Sequence, residues 1–554
     1  MKGFILRFVL AALLLPVTIP ASAQIISVEG PAGRIPQYGR ADFSVVLTGT
    51  WNNPYLQEEA RLDMVLTAPS GSTLTLPCFF VEGESGLASR WAARFTPQEN
   101  GWYTYCFRYA ERGRIVSESP QESFETGGAS GHGILHPRDN WTLRFDDGTL
   151  FRGVGENICW ESRDNDDSKF FKALHERHDK YNYDVMLPQF AAAGGSFCRF
   201  WMCSWNFPID RHGDFNNSRY ADSDAWINPS AVARLDHVLE LAESLDLKVM
   251  LCMGAGDVLT DRDFFVSDVA KSRYRNYLRY IVARWGYSPA IGMWEFFNEI
   301  DNIQFQDARN PIPAAEIVVW HAEMAAYLKS LDPFGHIVTT SISHRDMEGL
   351  NDVKDMDINQ KHIYCATSSI PEKILRYEQE SGKPYVIGEF SYEWDWSKNF
   401  DDFGEDMELD FKRGLWYGLF SPTPVTPMSW WWEYFENRGM VPYFRNVRTV
   451  SDRMLAAGKG TFEQVPVQAG KAEAYSVRCG RSIYVYAYNP SSKPVSTLRI
   501  PMDGPLMIAP KVVPFDFGKG RFRGGKRIKP EKGFLTVPVD LAPRSEALFE
   551  LIVK

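Results

Sequence analysis

The sequence predicts an α/β fold in which a parallel (β/α)8 TIM barrel is flanked by N-terminal and C-terminal β-sandwich domains. Between residues 134 and 458, short apolar runs alternate with amphipathic helical patterns. The segments 24–128 and 461–554 contain only short strand-like runs that Gly, Pro and Asn interrupt. Alternating strand and helix patterns are typical of a parallel sheet, whereas closely spaced short strands are typical of a sandwich.

Residues 1–23, MKGFILRFVLAALLLPVTIPASA, have the features of a cleaved signal peptide. Lys2 and Arg7 precede an apolar run, and Ala-Ser-Ala at 21–23 supplies small residues for cleavage. The apolar stretch 8–15 is too short to span a bilayer. We therefore expect an exported protein, periplasmic or extracellular, without a membrane span after signal cleavage. A retained anchor is the alternative.

The composition disfavours a nucleic-acid partner and offers no cofactor site. The net charge is −10 at pH 7, and an acidic chain does not suit a phosphate backbone. No Gly-x-Gly-x-x-Gly follows a strand, and none of the eight cysteines has zinc-ligand spacing. We therefore expect no metal and no cofactor, while the oligomeric state stays open. Cys78 and Cys106 could bridge neighbouring strands, because export permits disulfides.

The first flanking domain is predicted from runs such as ADFSVVLTG, ARLDMVLTAP and GWYTYCFRYA, which alternate in part between apolar and polar residues. Gly-Gly-Ala-Ser-Gly-His-Gly at 127–133 then indicates a flexible junction. The last domain is predicted from runs such as SIYVYAYNP and FLTVPVD. Its basic, Gly-rich segment 518–532 is interpreted as a solvated hairpin loop.

Eight strand candidates define the predicted barrel, and helical patterns such as 228–246, 312–332 and 370–382 lie between them. The candidates are residues 151–157, 196–202, 248–254, 291–297, 337–343, 358–364, 385–391 and 426–432. Eight strand-then-helix units in a chain of this length favour a closed barrel. A doubly wound open sheet is the alternative.

Two of these strands end on a glutamate. IGMWEFFNE places Glu299 after the fourth strand, and PYVIGEF places Glu389 at the end of the seventh. In an eight-stranded barrel, side chains at the ends of these strands can face each other across the mouth. Two carboxyl groups about 5 Å apart suit retaining glycoside hydrolysis, in which one donates a proton and the other attacks the anomeric carbon.

The motifs WEFFNE and YVIGEF resemble those of clan A glycoside hydrolases, which include the cellulase and mannanase family five. This resemblance implies that Glu299 is the acid/base and Glu389 the nucleophile. It also implies that Asn298 binds the sugar 2-hydroxyl. Arg199 in GSFCRFW is similar to the strand-two arginine that supports the nucleophile in such enzymes.

Other positions fit the same resemblance. KHIY resembles the strand-six His-x-Tyr motif, which gives His362 and Tyr364, and the Tyr364 hydroxyl could donate to Glu389. MSWWW resembles the strand-eight aromatic that floors the sugar subsite; Trp430 and Trp432 would share one face of that strand. The segments around 28–55 and 89–110 resemble the β-sandwich of uncharacterised function that precedes the barrel in many bacterial glycosidases.

Several further residues are candidates by position. Trp160 follows strand one, and Trp394 and Trp396 follow strand seven; as aromatic surfaces they could stack against sugar rings. Glu295 shares the strand parity of Glu299 and is expected to pair with a buried cation such as Arg199. Long insertions after strands one and two could close one end of a cleft.

The function predicted is therefore a retaining glycoside hydrolase that cleaves β-glycosidic bonds of a carbohydrate substrate, either a polysaccharide or an oligosaccharide. Two alternatives remain open. One is a non-catalytic carbohydrate-binding or adhesion protein on a degenerate barrel. The other is an inverting glycosidase with a different acid pair, such as Glu299 with Glu156 or Glu433.

Overall fold

The computed structural model describes residues 23–164, 169–215, 217–254, 261–502 and 508–553. Apart from its last residue, the predicted signal peptide lies outside the described residues. The chain is mixed α/β: mainly antiparallel sheets lie at both ends of the sequence, and parallel strands lie between them. Within the described residues, every helix is too short or too polar to cross a membrane.

The N-terminal region contains two sheets that enclose one apolar core. Strands such as Ala41–Thr48 and Ala60–Thr67 alternate strictly between buried and less buried residues, so each sheet has one face in the core. The first sheet has the order Gln24–Glu29, Ala41–Thr48, Ala88–Phe95, Phe79–Gly83. The second has the order Ile35–Gln37, Glu122–Ala129, Gly101–Glu111, Ala60–Thr67, Thr73–Pro77, and Arg114–Glu118 also pairs with Gly101–Glu111.

Seven parallel strands form the centre of the molecule, within or close to the predicted ranges. They are Gly155–Asn157, Phe197–Trp201, Lys248–Cys252, Ile291–Glu295, Ile337–Thr339 continued by Ser341–Ile342, Asn359–Tyr364 and Tyr385–Ser391. Each strand pairs in parallel with the next one along the chain. Their carboxyl ends therefore meet at one edge, where the predicted site residues lie.

The eighth predicted strand is not a regular strand. The segment 424–430 makes only isolated bridges, Gly153 with Val425 and Phe390 with Ser429. Pro424 and Pro427 lack the N–H that a ladder needs, which explains the interruption. The segment still hydrogen-bonds to both neighbours, because the Thr426 N–H donates to Gly153 and the Trp430 N–H donates to Phe390.

Helices follow most of the parallel strands. They are Lys169–His178, Tyr183–Ala192, Pro229–Ser244, Arg262–Val266, Asp268–Trp285, Ile300–Gln304, Ala314–Leu331, Ile370–Ser381, Gly404–Leu419, Trp432–Asn437 and Phe444–Gly458. The expectation of a helix after every strand is wrong at the fifth, because residues 343–358 form only turns and bends. Trp432 is also misplaced by the sequence analysis, since it begins a helix and does not continue a strand.

A separate apolar cluster fills the end of the parallel strands opposite the predicted site. Phe197, Met250, Met293, Ile337 and Val386 come from different strands and contact one another there. A small sheet of Leu135–Pro137, Leu143–Phe145 and Leu150–Phe151 contributes Leu135, Leu143 and Phe145 to the same cluster. The strands therefore converge on a packed interior rather than on an open channel.

The C-terminal region again has two antiparallel sheets around one core. The larger has the order Glu463–Gln464, Glu473–Cys479, Ser482–Tyr488, Glu546–Ile552, Lys511–Asp516, Arg521–Phe522, and Lys526–Arg527 also pairs with Lys511–Asp516. The smaller pairs Val495–Pro501 with Phe534–Leu541.

The suggested disulfide between Cys78 and Cys106 is absent, because both residues are free thiols. Cys78 is buried and contacts the carbonyl of Leu76, whereas Cys106 contacts the Glu118 carboxylate. The two thiols therefore have different surroundings.

Candidate active site

Glu299 lies just beyond the strand Ile291–Glu295, at the start of the helix Ile300–Gln304. Its φ of +50° is uncommon for a residue with a Cβ. The Glu299 N–H donates to Ser341 Oγ at 2.9 Å, and the Asn302 amide donates to Glu299 Oε2 at 2.7 Å. The side chain is 19% exposed, so this turn fixes the carboxyl group where water can still reach it.

Glu389 lies within the strand Tyr385–Ser391, and its side chain is only 4% exposed. Arg199 Nη1 donates to Glu389 Oε1 at 2.6 Å, and the Tyr364 hydroxyl donates to Oε2 at 2.5 Å. A permanent cation and a hydroxyl thus fix the orientation of both carboxylate oxygens. Arg199 and Tyr364 lie where the sequence motifs placed them, and the expected Tyr364–Glu389 hydrogen bond is present.

The structure brings Glu299, His362 and Glu389 together. One carboxyl oxygen from each glutamate and one ring nitrogen of His362 all lie within 4.8 Å of one another. His362 Nδ1 is 2.8 Å from Glu299 Oε1 and 3.3 Å from Glu389 Oε2. Among the described residues, this is also the group that could hold a metal ion. The Arg199 cation beside Glu389 opposes such an ion.

Arg199 is the centre of the buried polar network. Its Nε and Nη2 donate to both oxygens of Glu295 at 2.6 and 2.7 Å, and Nη2 also donates to Asn298 Oδ1 at 2.8 Å. The guanidinium is fully buried, so it depends on these partners. The expected pairing of Glu295 with Arg199 is therefore present, and Asn298 lies close to Glu389 through their shared partner.

The surroundings shift the pKa values of this group. Burial raises the pKa of Glu389; His362 and Arg199 oppose this shift, and the charge of Glu299 adds to it. Burial also acts to raise the pKa of Glu299, but the hydrogen bond and charge of His362 hold it below its usual value. Burial raises the pKa of Tyr364 well above its usual range, so it stays a hydroxyl donor. The two carboxyl groups titrate as a pair.

A cluster of tryptophans lies beside the carboxyl groups. Trp201 has its ring 5.6 Å from the Arg199 guanidinium and 5.4 Å from Trp430. Trp160 contacts Trp430 at 5.5 Å and Trp432 at 4.7 Å. Trp160 and Trp430 are partly exposed, whereas Trp432 is buried. Trp160 and Trp430 can therefore face a ligand, while the buried Trp432 packs against both of them.

Several site residues were not found from the sequence. They are Asn157, Asn302, Ser341 and Gln360. The nearest residue that the sequence singled out is Glu156, which was named as a member of an alternative acid pair. Glu156 is instead buried, with its carboxyl group hydrogen-bonded to Ser429, and its neighbour Asn157 contacts Arg199 at 3.4 Å. The burial of Glu156 disfavours the alternative acid pair in which it acts with Glu299.

Comparisons with known proteins agree with the residue motifs. Residues 34–110 match a family described as a domain of unknown function, DUF5060. The chain is 24% identical over 260 residues to mannan endo-1,4-beta-mannosidase A of Podospora anserina, covering 38% of this chain and 65% of that protein. It is 25% identical over 215 residues to the enzyme of the same name from Aspergillus aculeatus, covering 33% and 55%. The chain thus spans less than two thirds of the length of these curated relatives.

Solved structures show the same kind of fold. A structure from Bacteroides vulgatus, described as a "putative glycoside hydrolase", has a TM-score of 0.65 at 13% identity and covers 94% of this chain and 100% of its own. Another, described as a glycoside hydrolase, has a TM-score of 0.53 at 13% identity and covers 76% and 97%. The relatives in sequence and the shared fold together confirm the resemblance of this chain to clan A glycoside hydrolases.

Proposed function

We propose that the protein is a retaining glycoside hydrolase that cleaves β-glycosidic bonds of poly- or oligosaccharides. The observation that carries the proposal is that one carboxyl oxygen of Glu299 lies within 4.8 Å of one carboxyl oxygen of Glu389. Carboxyl groups about 5–5.5 Å apart leave room for a covalent glycosyl intermediate, whereas inverting enzymes place them about 6.5–9.5 Å apart to admit a water.

We also propose that the chain has the three-domain architecture that the sequence predicts. The seven parallel strands and the segment 424–430 form a closed (β/α)8 barrel, because that segment bonds to strand one and to strand seven. The flanking regions are β-sandwich domains, with the boundaries 24–128, 134–458 and 461–554. The N-terminal charge and apolar pattern supports export to the periplasm or beyond.

Exposure and hydrogen bonding support the two roles. Glu389 is almost fully buried between Arg199 and Tyr364, which hold it in one orientation for attack. Glu299 is partly exposed, so it can exchange its proton with water and reach a leaving group at the mouth. An acid/base residue needs that access, whereas a nucleophile needs a fixed direction.

In the first step, Glu389 attacks the anomeric carbon while Glu299 gives its proton to the glycosidic oxygen. The bond to the leaving sugar breaks, and a glycosyl ester forms on Glu389. In the free protein the pKa directions favour the proton on Glu389, so it must reach Glu299 before attack. His362 Nδ1 lies between the two carboxyl groups, 2.8 Å from Glu299 Oε1 and 3.3 Å from Glu389 Oε2, and therefore lies on the path of that proton.

In the second step, Glu299 acts as a base. It takes a proton from a water, and the resulting hydroxide oxygen bonds to the anomeric carbon as the ester bond to Glu389 breaks. Attack from the side opposite to the first restores the original configuration. Arg199 and Tyr364 stabilise the carboxylate that leaves, because both donate to its oxygens.

The substrate proposed first is a β-1,4-linked mannan, since the sequence relatives are named as mannan endo-1,4-beta-mannosidases. The test is hydrolysis of mannan, glucomannan and aryl β-glycosides by the purified protein, with product configuration followed by proton NMR. We expect the β-anomer to appear first. Release of the α-anomer, or unchanged turnover in Glu389→Ala, would overturn the proposal.

The inverting alternative receives less support from the structure. An inverting mechanism needs a second carboxylate with space for a water beside it. Glu156 is buried, and one of its carboxyl oxygens accepts a hydrogen bond from the Ser429 hydroxyl. Burial also raises the pKa of Glu156 well above its usual value, which disfavours the ionised form that a general base requires. A non-catalytic binding protein would not need the paired, fixed carboxyl groups.

A further inference from the structure

Two of the most exposed tryptophans of the chain lie in one short loop beside the proposed active site. Trp394 is 62% exposed and Trp396 is 74% exposed. Both follow the strand Tyr385–Ser391, which carries Glu389, and Trp394 lies only five residues after Glu389 in the chain. Exposing large indole rings to water is unfavourable, so a pair of them in one place calls for an explanation.

The loop is held in place rather than left loose. The Glu393 side chain is buried and accepts the N–H groups of Trp394 and Asp395 at 2.9 and 3.0 Å. Its carboxylate also pairs with Lys398. The Glu393 carbonyl accepts the indole N–H of Trp431 at 2.7 Å, which ties the loop to the segment that carries Trp430. The exposed rings therefore project from a fixed backbone at the mouth of the parallel strands.

The surroundings of the loop indicate what it can bind. The segment 393–402 carries four carboxylates, Glu393, Asp395, Asp401 and Asp402, and one cation, Lys398. Glu393 pairs with Lys398 and Asp401 pairs with Arg438, so the other two carboxylates give the segment a negative balance. An acidic chain of sugars would be repelled here, whereas a neutral one would not. Indole faces suit the apolar C–H faces of pyranose rings, which a neutral polysaccharide presents repeatedly along its length.

We infer that Trp394 and Trp396 form a sugar-stacking surface that holds a neutral polysaccharide outside the catalytic centre. Binding of the polysaccharide to this surface does not depend on the proposed function. The inference rests on the proposed function only in stating that the bound chain is presented to Glu299 and Glu389 for hydrolysis. Continuity of the loop with the strand of Glu389 and with the Trp430 segment places the surface beside that centre. Small substrates, which occupy only the centre, do not need it.

The first test measures binding without catalysis. Glu389→Ala protein, with and without the double substitution Trp394→Ala/Trp396→Ala, is run in native gels that contain galactomannan, glucomannan or a soluble β-glucan. We expect at least one polymer to retard the Glu389→Ala protein, and the double substitution to abolish that retardation. Retardation that survives the substitution, or no retardation in any of the three gels, overturns the inference.

The control is Trp102→Ala, which removes an equally exposed indole, 61% exposed, from the strand Gly101–Glu111 in the N-terminal region. It should leave polymer binding unchanged. Because all three tryptophans are exposed, none of these substitutions should affect folding.

Sedimentation velocity tests whether a second copy of the chain occupies the surface instead. A wild-type dimer that Trp394→Ala/Trp396→Ala converts to a monomer would assign the surface to a second copy of the chain and overturn the inference.

The second test separates this inference from the proposed function. With Glu389 intact, the double tryptophan variant should lose about tenfold in kcat/KM on the polymer that binds, as expected for two lost stacking contacts. Its kcat/KM on a 2,4-dinitrophenyl β-glycoside should stay unchanged. Absence of aryl glycoside hydrolysis in every variant would refute the proposed function while leaving the binding result intact. Equal loss on both substrates would refute the stacking surface alone.

Discussion

A carboxyl oxygen of Glu299 lies within 4.8 Å of one of Glu389, although the two residues are 90 positions apart in the chain. They come from the fourth and seventh parallel strands, whose carboxyl ends meet at one edge. His362 lies between them, and Arg199 and Tyr364 donate hydrogen bonds to Glu389. The two carboxyl groups are therefore chemically different, and each can be tested separately.

Glu299→Gln should affect substrates according to their leaving group. A poor leaving group needs the proton of Glu299, so kcat/KM on such a substrate should fall by about 10²–10⁴. A 2,4-dinitrophenolate departs without a proton, so formation of the glycosyl ester should change little. The measurement is the burst of dinitrophenolate in rapid-mixing experiments, followed by slow steady turnover.

Azide provides the control for this experiment. It needs no general base, so it should restore turnover of Glu299→Gln and yield a β-glycosyl azide. Glu389→Ala should show no burst with any leaving group. Equal losses across all leaving groups in Glu299→Gln would contradict its assignment as the acid/base.

Tyr364→Phe and Glu299→Gln should move the acid limb of the pH profile in opposite directions. Burial raises the pKa of Glu389, the charge of Glu299 raises it further, and the Tyr364 hydrogen bond lowers it. Losing the hydroxyl should therefore shift the acid limb of kcat/KM to higher pH, and losing the Glu299 charge should shift it to lower pH. The limb reports ionisation of the free enzyme and is measured with a 2,4-dinitrophenyl glycoside. Shifts of the same sign would show that the limb does not report Glu389.

Glu295→Ala should destabilise the fold strongly. Arg199 and Glu295 are both fully buried and joined by two hydrogen bonds, so removing Glu295 leaves a buried cation with one carboxylate fewer. Breaking such a pair costs about 3–5 kcal/mol in free energy of unfolding, measured by urea denaturation. The control is Glu316→Ala, whose partner Arg262 is 61% exposed; solvent screens that pair, so its loss should change the free energy of unfolding far less. Equal losses of unfolding free energy in Glu295→Ala and Glu316→Ala would show that burial does not make the Arg199–Glu295 pair more important for stability.

The order of strands and helices was largely predictable from the sequence, because burial imposes a pattern on each element. Seven strands lie within or close to the predicted ranges, since apolar runs bounded by turn residues are a local signal. The segment 424–430 was not predictable in the same way. Its prolines break the ladder, and whether it still bonds to residues 153 and 390 depends on contacts across the chain. The absence of a helix at 343–358 likewise does not follow from the repeating order of strands and helices in the rest of the segment.

The two glutamates could be found because each ends an apolar run, which a solvated loop residue would not do. Asn157, Asn302 and Gln360 could not be found, because they act only through partners that are distant in sequence or on the next turn. Asn157 contacts Arg199, and Gln360 donates to Glu295 at 3.1 Å. Gln360 also lies where a side chain at Gly388 would collide with it, a relation that no sequence pattern reveals.

Asp410 should make stability depend on pH. It is buried in the helix Gly404–Leu419 and accepts the Thr367 hydroxyl at 2.6 Å. Burial raises its pKa from 3.8 to about 6, although Thr367 and Arg413 oppose the shift. The folded state therefore binds this proton more tightly than the unfolded state. Its contribution to stability is complete below about pH 4 and is lost as the pH rises through about 6.

Asp410→Asn removes this titration, so the free energy of unfolding of the variant should rise relative to that of the wild type as the pH rises. A shift of about two pKa units corresponds to about 3 kcal/mol between pH 4 and pH 7. The measurement is the difference in free energy of unfolding between variant and wild type at pH 4, 5, 6 and 7, in which other titrations cancel. Asp402→Asn, an exposed carboxylate, is the control and should give a flat difference. A flat difference for Asp410→Asn would mean that its carboxyl group ionises as readily in the folded protein as in the unfolded chain.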